Sequence, residues 1–193
     1  VTNIEDLKSR ITNTLTTFKK SNINKFGGRF KYSKVCQVID DVDSAITSNI
    51  TRVLIRRNLK ALINTYAQYE LCYGNKFYYI DAGFNIKSTG FKIAGSNDIC
   101  YFTDTPRDDG TGVISIVKEA QEEGKNTVVT KSAGTVDYIK GEIIINTVNI
   151  TSTVEPNNII EIQAVPESND VIGLSDLYLD FSVSKSAINM IKD

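Results

Sequence analysis

The chain contains 193 residues with 22 Lys+Arg and 23 Asp+Glu, so its formal net charge at pH 7 is −1. This length suffices for one domain with a sizeable hydrophobic core or for two small ones. The chain has no histidine, which excludes catalytic sites that use an imidazole base, such as Ser-His-Asp and Cys-His systems. Only carboxylate or lysine chemistry remains, and we expect no enzyme.

The three cysteines, Cys36, Cys72 and Cys100, are predicted to be buried, reduced thiols. They are odd in number, lie far apart and include no Cys-x-x-Cys pair, so neither a disulfide framework nor a zinc site is indicated. This pattern fits synthesis in a reducing cytoplasm. No apolar run has the length of a membrane span and no signal-peptide pattern precedes the first helix, so we expect no membrane partner. Because the chain begins at Val1, we expect a segment of a longer polypeptide.

The charges are unevenly distributed along the chain. Residues 1–60 carry 12 Lys+Arg and 5 Asp+Glu, a net charge of +7, and residues 61–193 carry the remaining 10 and 18, a net charge of −8. This asymmetry predicts a basic helical segment, 1–60, that leads into the first strand, and an acidic β-rich domain, 61–193, in one continuous fragment. Opposed charges favour head-to-tail self-association, although solvated surface explains them equally well.

The N-terminal segment predicts two helices. Thr2 and Glu5 have the spacing of a capping box, and apolar residues then recur at three- and four-residue steps over residues 4–18. After Gly27-Gly28, Ser33 is predicted to cap a second, short helix.

From residue 46 onward the pattern changes to β-strands. Apolar and polar residues alternate in short runs separated by glycine-containing turns such as Gly74-Asn75, Asp109-Gly110 and Gly124-Lys125. The predicted strands are 50–57, 66–73, 77–80, 91–94, 99–103, 113–118, 127–131 and 159–165, and the segment 177–191 fits a strand, a helix or both.

Residues 134–146 are predicted to form a β-hairpin. Val136 and Tyr138 occupy alternating positions before the turn, Gly141 supplies a positive φ, and Ile143 and Ile145 resume the alternation after it. The predicted fold class is therefore α+β, with a helical N-terminal segment followed by a β-rich, mainly antiparallel remainder built from hairpins.

Two groups of carboxylates could in principle gather a cation, but neither has the ligand spacing of a calcium loop. One group is Asp40, Asp41 and Asp43, and the other is Asp104, Asp108 and Asp109 before a glycine-containing turn. The chain also lacks a GxxxxGK[ST] or GxGxxG phosphate loop. We predict no metal site, no cofactor and no small-molecule substrate.

Two binding functions remain as alternatives. Basic Arg29, Lys31 and Lys34 interleave with aromatic residues, and this arrangement is typical of a nucleic-acid-binding surface. No recognition motif accompanies it, and acidic residues slightly outnumber basic ones. The second alternative is a receptor- or glycan-binding β-module with a tyrosine platform. Its candidate residues are Tyr66, Tyr69, Tyr73, Tyr78 and Tyr79.

Three blocks of sequence carry a family resemblance. Residues 27–49, with Gly-Gly-Arg-Phe-Lys-Tyr-Ser-Lys-Val and Thr-Ser-Asn, the hairpin 134–146 and the strand 159–166 occur in matching order and spacing. The chain resembles the baseplate J-like family of contractile-tailed phages, and most of all the C-terminal part of its wedge members in T-even phages.

The resemblance implies a structural virion protein without catalytic residues or cofactors. It implies a late protein of the contractile tail that assembles in the host cytoplasm and resides in the tail baseplate. It also implies self-association, as a homodimer or a larger ring around the central hub, and contacts with other baseplate wedge proteins. Such a ring joins the wedges and relays baseplate rearrangement to sheath contraction. No nucleic-acid, membrane or small-molecule partner is implied.

Arg52, Arg56 and Arg57 are the candidate subunit-contact residues. A planar guanidinium pairs bidentately with a carboxylate and stacks on aromatic rings, and arginine is enriched at protein interfaces. This assignment is a hypothesis from residue type, because the family resemblance carries no site residues.

Overall fold

The computed structural model describes residues 3–81, 84–119 and 125–191. It contains two α-helices and thirteen strands in these ranges. The helices are α1 Ile4–Asn22 and α2 Tyr32–Asp40. The strands are β1 Lys25–Phe26, β2 Arg29–Phe30, β3 Ile55–Lys60, β4 Tyr66–Cys72, β5 Lys87–Ser88, β6 Phe91–Ile93, β7 Cys100–Pro106, β8 Thr111–Glu119, β9 Asn126–Asp137, β10 Glu142–Thr153, β11 Ile159–Ala164, β12 Val171–Ile172 and β13 Tyr178–Leu179.

The strands pair in antiparallel fashion, and the predicted α+β class is confirmed. None of the helices in the described ranges is long and apolar enough to cross a membrane. Cys100 is buried, Cys36 and Cys72 are partly buried, and all three are free thiols.

The chain divides into two compact units, residues 1–52 with 169–193 and residues 53–168. This division differs from the expected one, 1–60 and 61–193, because the C-terminal segment pairs with strands near the N-terminus. The first unit carries 11 Lys+Arg and 9 Asp+Glu, a net charge of +2, and the second carries 11 and 14, a net charge of −3. The opposition of charge is therefore much weaker between the structural units than between the two halves of the sequence.

In the first unit, α1 buries the apolar stripe that its sequence predicts. Leu7, Ile11 and Leu15 are buried. The helix begins after Asn3, whose Oδ1 accepts a hydrogen bond from the Glu5 N–H at 3.0 Å. Thr2, the predicted capping residue, lies outside the described residues.

The second helix starts differently from its prediction. The residue before α2 is Lys31, which makes no side-chain cap, and Ser33 lies inside the helix, so the predicted Ser33 cap is wrong. The Tyr32 N–H instead donates to Asp170 Oδ1 at 2.7 Å. Thus a carboxylate from the C-terminal segment satisfies a backbone donor that local sequence leaves open.

The C-terminal segment adds two short strands to the first unit. β12 pairs with β2, and β13 pairs with β1. Phe30 on β2 packs edge-on against Phe181, with ring centroids 5.4 Å apart. The segment 177–191, whose structure the sequence left open, contains β13 and one 3-10 turn at Val183–Lys185.

The second unit contains a closed circuit of strand pairing. β6 pairs with β7, β7 with β8, β8 with β9, β9 with β10, and β10 returns to β6. β4 adds to β10, and β11 lies between β3 and β5. The strands of this circuit carry the tilted rings of Phe91 and Phe102, whose centroids are 4.4 Å apart, together with buried isoleucines of β8 and β10. The hydrophobic core of the unit joins these residues with buried residues of β3, β4 and β11.

The hairpin prediction is confirmed. β9 and β10 pair with Val136 opposite Ile143, and Gly141 has φ +69° in the turn between them. Val136, Tyr138, Ile143 and Ile145 are all buried, as the alternation predicts.

Two predicted strands differ in the structure. The strand predicted at 50–57 begins only at Ile55, and residues 50–54 have no regular structure. The strand predicted at 77–80 is reduced to one bridge, between Phe77 and Pro166. Its backbone groups bond to separate partners, since the Phe77 N–H donates to the Tyr138 carbonyl and the Tyr78 N–H to the Val165 carbonyl.

Candidate subunit-contact surface

The three candidate arginines fall in different units. Arg52 lies in the first unit, in a segment without regular secondary structure, and its side chain is exposed. Arg56 and Arg57 lie on β3 in the second unit and are partly buried. Of the three, Arg52 is therefore the one with an exposed side chain.

Arg56 and Arg57 make contacts within the second unit. Arg56 Nη1 lies 3.6 Å from Glu161 Oε2 on β11, and the two side chains are 27% and 17% exposed. Arg57 Nη1 donates to the carbonyl oxygen of Cys72 at the end of β4. These contacts connect β3 to its neighbours, so replacing either arginine affects the unit itself. A role of these residues in subunit contacts stays a prediction.

Tyr73 reinforces the same region. Its hydroxyl donates to the Ile162 carbonyl on β11 at 2.7 Å, and its ring packs edge-on against Phe77 at 5.0 Å. Burial raises the pKa of the Tyr73 phenol above its usual value, and the nearby Arg57 opposes this shift. The phenol therefore stays neutral and acts as a hydrogen-bond donor inside the unit.

The basic and aromatic residues of the first unit do not form a row of stacking rings. Phe30 is buried, and the Tyr32 hydroxyl donates to the Thr51 carbonyl at 3.2 Å. Phe26 is 66% exposed and lies edge-on to Tyr178, which is 54% exposed. Phe26 and Tyr178 are thus an isolated exposed pair among these residues, and base stacking on successive rings is not supported.

The five tyrosines of the candidate platform differ in their exposure to solvent. Tyr73 is buried, Tyr66 and Tyr78 are exposed, and Tyr69 and Tyr79 are partly buried. The Tyr69 hydroxyl accepts a hydrogen bond from the Leu62 N–H, and the Tyr79 hydroxyl donates to the Arg107 carbonyl. Their polar groups serve contacts within the unit.

Asp104, one of the three candidate carboxylates before a glycine-containing turn, is a buried residue. It lies on β7 with 1% of its surface exposed. Its Oδ1 accepts from the N–H groups of Asn85 and Ile86 at 2.8 and 2.7 Å, and its Oδ2 accepts from the Tyr138 hydroxyl. The alternation of β7 could have identified it, because Cys100 and Phe102 are buried at the same strand parity.

Burial raises the pKa of the Asp104 carboxyl, and its three hydrogen bonds oppose the shift. Burial also raises the pKa of the Tyr138 phenol, as does its bond to Asp104. Asn85 extends the network, since its Oδ1 accepts from the Val165 N–H at 2.7 Å and its Nδ2 donates to the Tyr78 carbonyl at 2.6 Å. These hydrogen bonds of Asp104 and Asn85 hold the segment before β5 against the core, so the network has a structural role.

Two of the other candidate carboxylates, Asp109 and Asp43, serve local structure. Asp109 Oδ1 accepts from the Thr111 N–H and hydroxyl in the turn before β8. Asp43 pairs with Arg10 at 2.6 Å, and its pKa is lowered by the Ala45 N–H and by Arg10. Within residues 3–81, 84–119 and 125–191, no group of three or more His, Cys, Asp or Glu side chains is arranged to hold a metal ion.

A comparison with known families finds a match to the first part of the chain. Residues 2–58 match the family model described as baseplate structural protein gp6, C-terminal domain III. The matched segment contains both helices, β1, β2 and part of β3, and covers less than a third of the 193 residues. No curated protein sequence matches the chain. The match confirms the predicted resemblance to baseplate wedge proteins and supports a structural role in a phage baseplate.

Proposed function

We propose that this chain is a structural component of a phage tail baseplate wedge that associates with copies of itself. The match of residues 2–58 to a baseplate structural family carries the proposal. The candidate arginines and tyrosines support it, because those with buried or partly buried side chains make contacts within their own unit. The chain is proposed to be non-enzymatic and to act through its surfaces.

Self-association of the chain would form a homodimer or part of the ring around the central hub. In this proposal the ring joins wedges through other baseplate wedge proteins and relays their rearrangement to sheath contraction. The chain is a late product, assembled in the host cytoplasm and carried in the virion. A relay of this kind needs units that move without deforming, and the cross-strand bonds of Arg57, Tyr73 and Asp104 give the second unit such internal connections.

We expect the purified chain to form at least a dimer at high micromolar concentration. Because the two structural units carry net charges of only +2 and −3, charge attraction alone is a weak driving force. Raising the salt concentration from about 0.05 to about 0.5 M shortens the screening length from roughly 14 to roughly 4 Å, yet we expect association to persist. Equilibrium sedimentation at several protein concentrations measures this. A monomer under both salt conditions would contradict self-association through this part of the protein.

The candidate arginines are expected to separate into two classes. Arg52→Ala should weaken association and leave the melting temperature unchanged, since the Arg52 side chain is exposed. Arg57→Ala should lower the free energy of unfolding by about 1 kcal/mol, because it removes the hydrogen bond to the Cys72 carbonyl. Sedimentation and urea unfolding distinguish the two effects.

Arg29→Ala is the matched control for Arg52→Ala, since Arg29 is an exposed arginine of the same unit. Equal association of the Arg52→Ala variant and the wild-type chain would remove Arg52 from the contact surface.

A further inference from the structure

β9 pairs with β8 over a longer stretch than it pairs with β10. β10 pairs with β9 only from Gly134 to Asp137, whereas β8 pairs with β9 down to Asn126. Residues 126–130 therefore have β8 along one edge, and none of the other described strands pairs with their second edge.

The side chains of this segment are exposed on both faces. Every residue from 125 to 132 is exposed, and Val128 and Val129 retain 48% and 38% of their surface. By contrast, Val136 and Ala133 farther along the same strand are buried. An exposed strand with valines at its centre is a template for pairing with another strand.

The sequence of the edge lacks the usual protection against such pairing. Asn-Thr-Val-Val-Thr, residues 126–130, contains neither a proline nor a charged residue, the two residue types that most often block edge strands. Lys125 and Lys131 flank it. The pairing of this part of β9 with β8 contains two register shifts, on either side of Ile116.

We infer that the edge of residues 126–130 pairs with the same edge of a second copy, in antiparallel orientation about a two-fold axis. Such an interface uses one surface twice, so the edge must be complementary to itself. Pairing centred on Val129 sets Val128 of each copy opposite Thr130 of the other. Lys131 then falls opposite the neutral Thr127, and no two lysines face each other across the pair. The charge pattern is thus compatible with a second copy.

This inference rests on the self-association in the proposed function and names one surface that contributes to it. A single pair of short strands is smaller than a standard interface of about 800 Å² per partner. We therefore expect a dissociation constant in the micromolar range or weaker unless other surfaces contribute.

Val129→Lys tests the pairing directly. In the dimer it places two like charges opposite each other at the centre, which is destabilising, while in the monomer the side chain stays exposed. We expect the dissociation constant in equilibrium sedimentation to rise at least tenfold, with an unchanged thermal melt. Gln68→Lys on the exposed face of β4 is the matched control for added charge and should leave association unchanged.

Hydrogen exchange provides a second measurement on the unmodified chain. The amides of residues 126–130 should exchange more slowly as protein concentration rises, and those of β4 should not change. Association of the Val129→Lys variant equal to that of the wild type, or weakened equally by Gln68→Lys, would overturn the edge pairing and leave self-association to another surface. A wild-type chain that stays monomeric would instead overturn the self-association itself.

Discussion

Gly141→Val is expected to lower the free energy of unfolding by about 3 kcal/mol. Gly141 has φ +69° in the turn between β9 and β10, where a β-branched residue is strained by about 1 to 3 kcal/mol. A Cβ at this position would also overlap the backbone carbonyl of Asn75. The turn cannot shift freely, because the Tyr73 N–H donates to the Gly141 carbonyl at 2.8 Å. Urea unfolding of the two proteins measures the difference.

Substitutions at two further glycines distinguish the cost of backbone strain from the cost of the steric overlap. Gly95 has φ +84°, but a Cβ added there would meet no other atom within 4 Å, so Gly95→Val should cost only the backbone strain. Gly134 lacks a positive φ, but a Cβ there would overlap the Ile144 carbonyl, so Gly134→Val should report the collision alone. A Gly141→Val loss no larger than that of Gly95→Val would show that the contact with Asn75 relaxes at little cost.

Asp104→Ala is expected to destabilise the protein by about 3 kcal/mol. It leaves the N–H groups of Asn85 and Ile86 and the Tyr138 hydroxyl without their acceptor in a buried site, and each such loss costs about 1 to 3 kcal/mol when unrelieved. Asp104→Asn keeps one carbonyl acceptor for the two N–H groups and should cost less. Urea unfolding of both variants tests this order, and equal losses would mean that the N–H bonds contribute little.

Tyr138→Phe should show a pH-dependent loss in the same network. Because burial raises the folded-state pKa of Asp104 above its usual 3.8, the stability from this group is fully present below that value. It is lost as pH rises through the folded-state pKa. Removing the Tyr138 donor raises that pKa further, so the loss should be about 2 kcal/mol at pH 7 and about 1 kcal/mol at pH 4.

Tyr79→Phe is the control for this comparison. The Tyr79 hydroxyl donates to a neutral carbonyl, that of Arg107, so its removal should cost the same at both pH values. A pH-independent loss for Tyr138→Phe would show that Asp104 does not change protonation between pH 4 and pH 7.

Much of the local structure followed from the sequence alone. The three- and four-residue spacing of Leu7, Ile11 and Leu15 predicted the buried face of α1, because helical geometry repeats every 3.6 residues. The alternation around Gly141 predicted the β9–β10 hairpin, since its strands are joined by a short turn and their pairing is local. The resemblance carried by residues 27–49 also came from the sequence, and the family match over residues 2–58 confirms it.

Only the tertiary structure decided which distant segments pair. The return of β12 and β13 to the N-terminal strands and the closed circuit from β6 to β10 depend on contacts between residues far apart in sequence. The same holds for the edge of residues 126–130, with which no other described strand pairs. Local periodicity specifies which face of a strand is apolar, but it does not specify the neighbouring strand. Asp104 and Asp109 show the same limit, because one carboxylate is buried on β7 and the other is exposed in a turn five residues later. Strand parity and the surrounding core, not residue type, decide between these two environments.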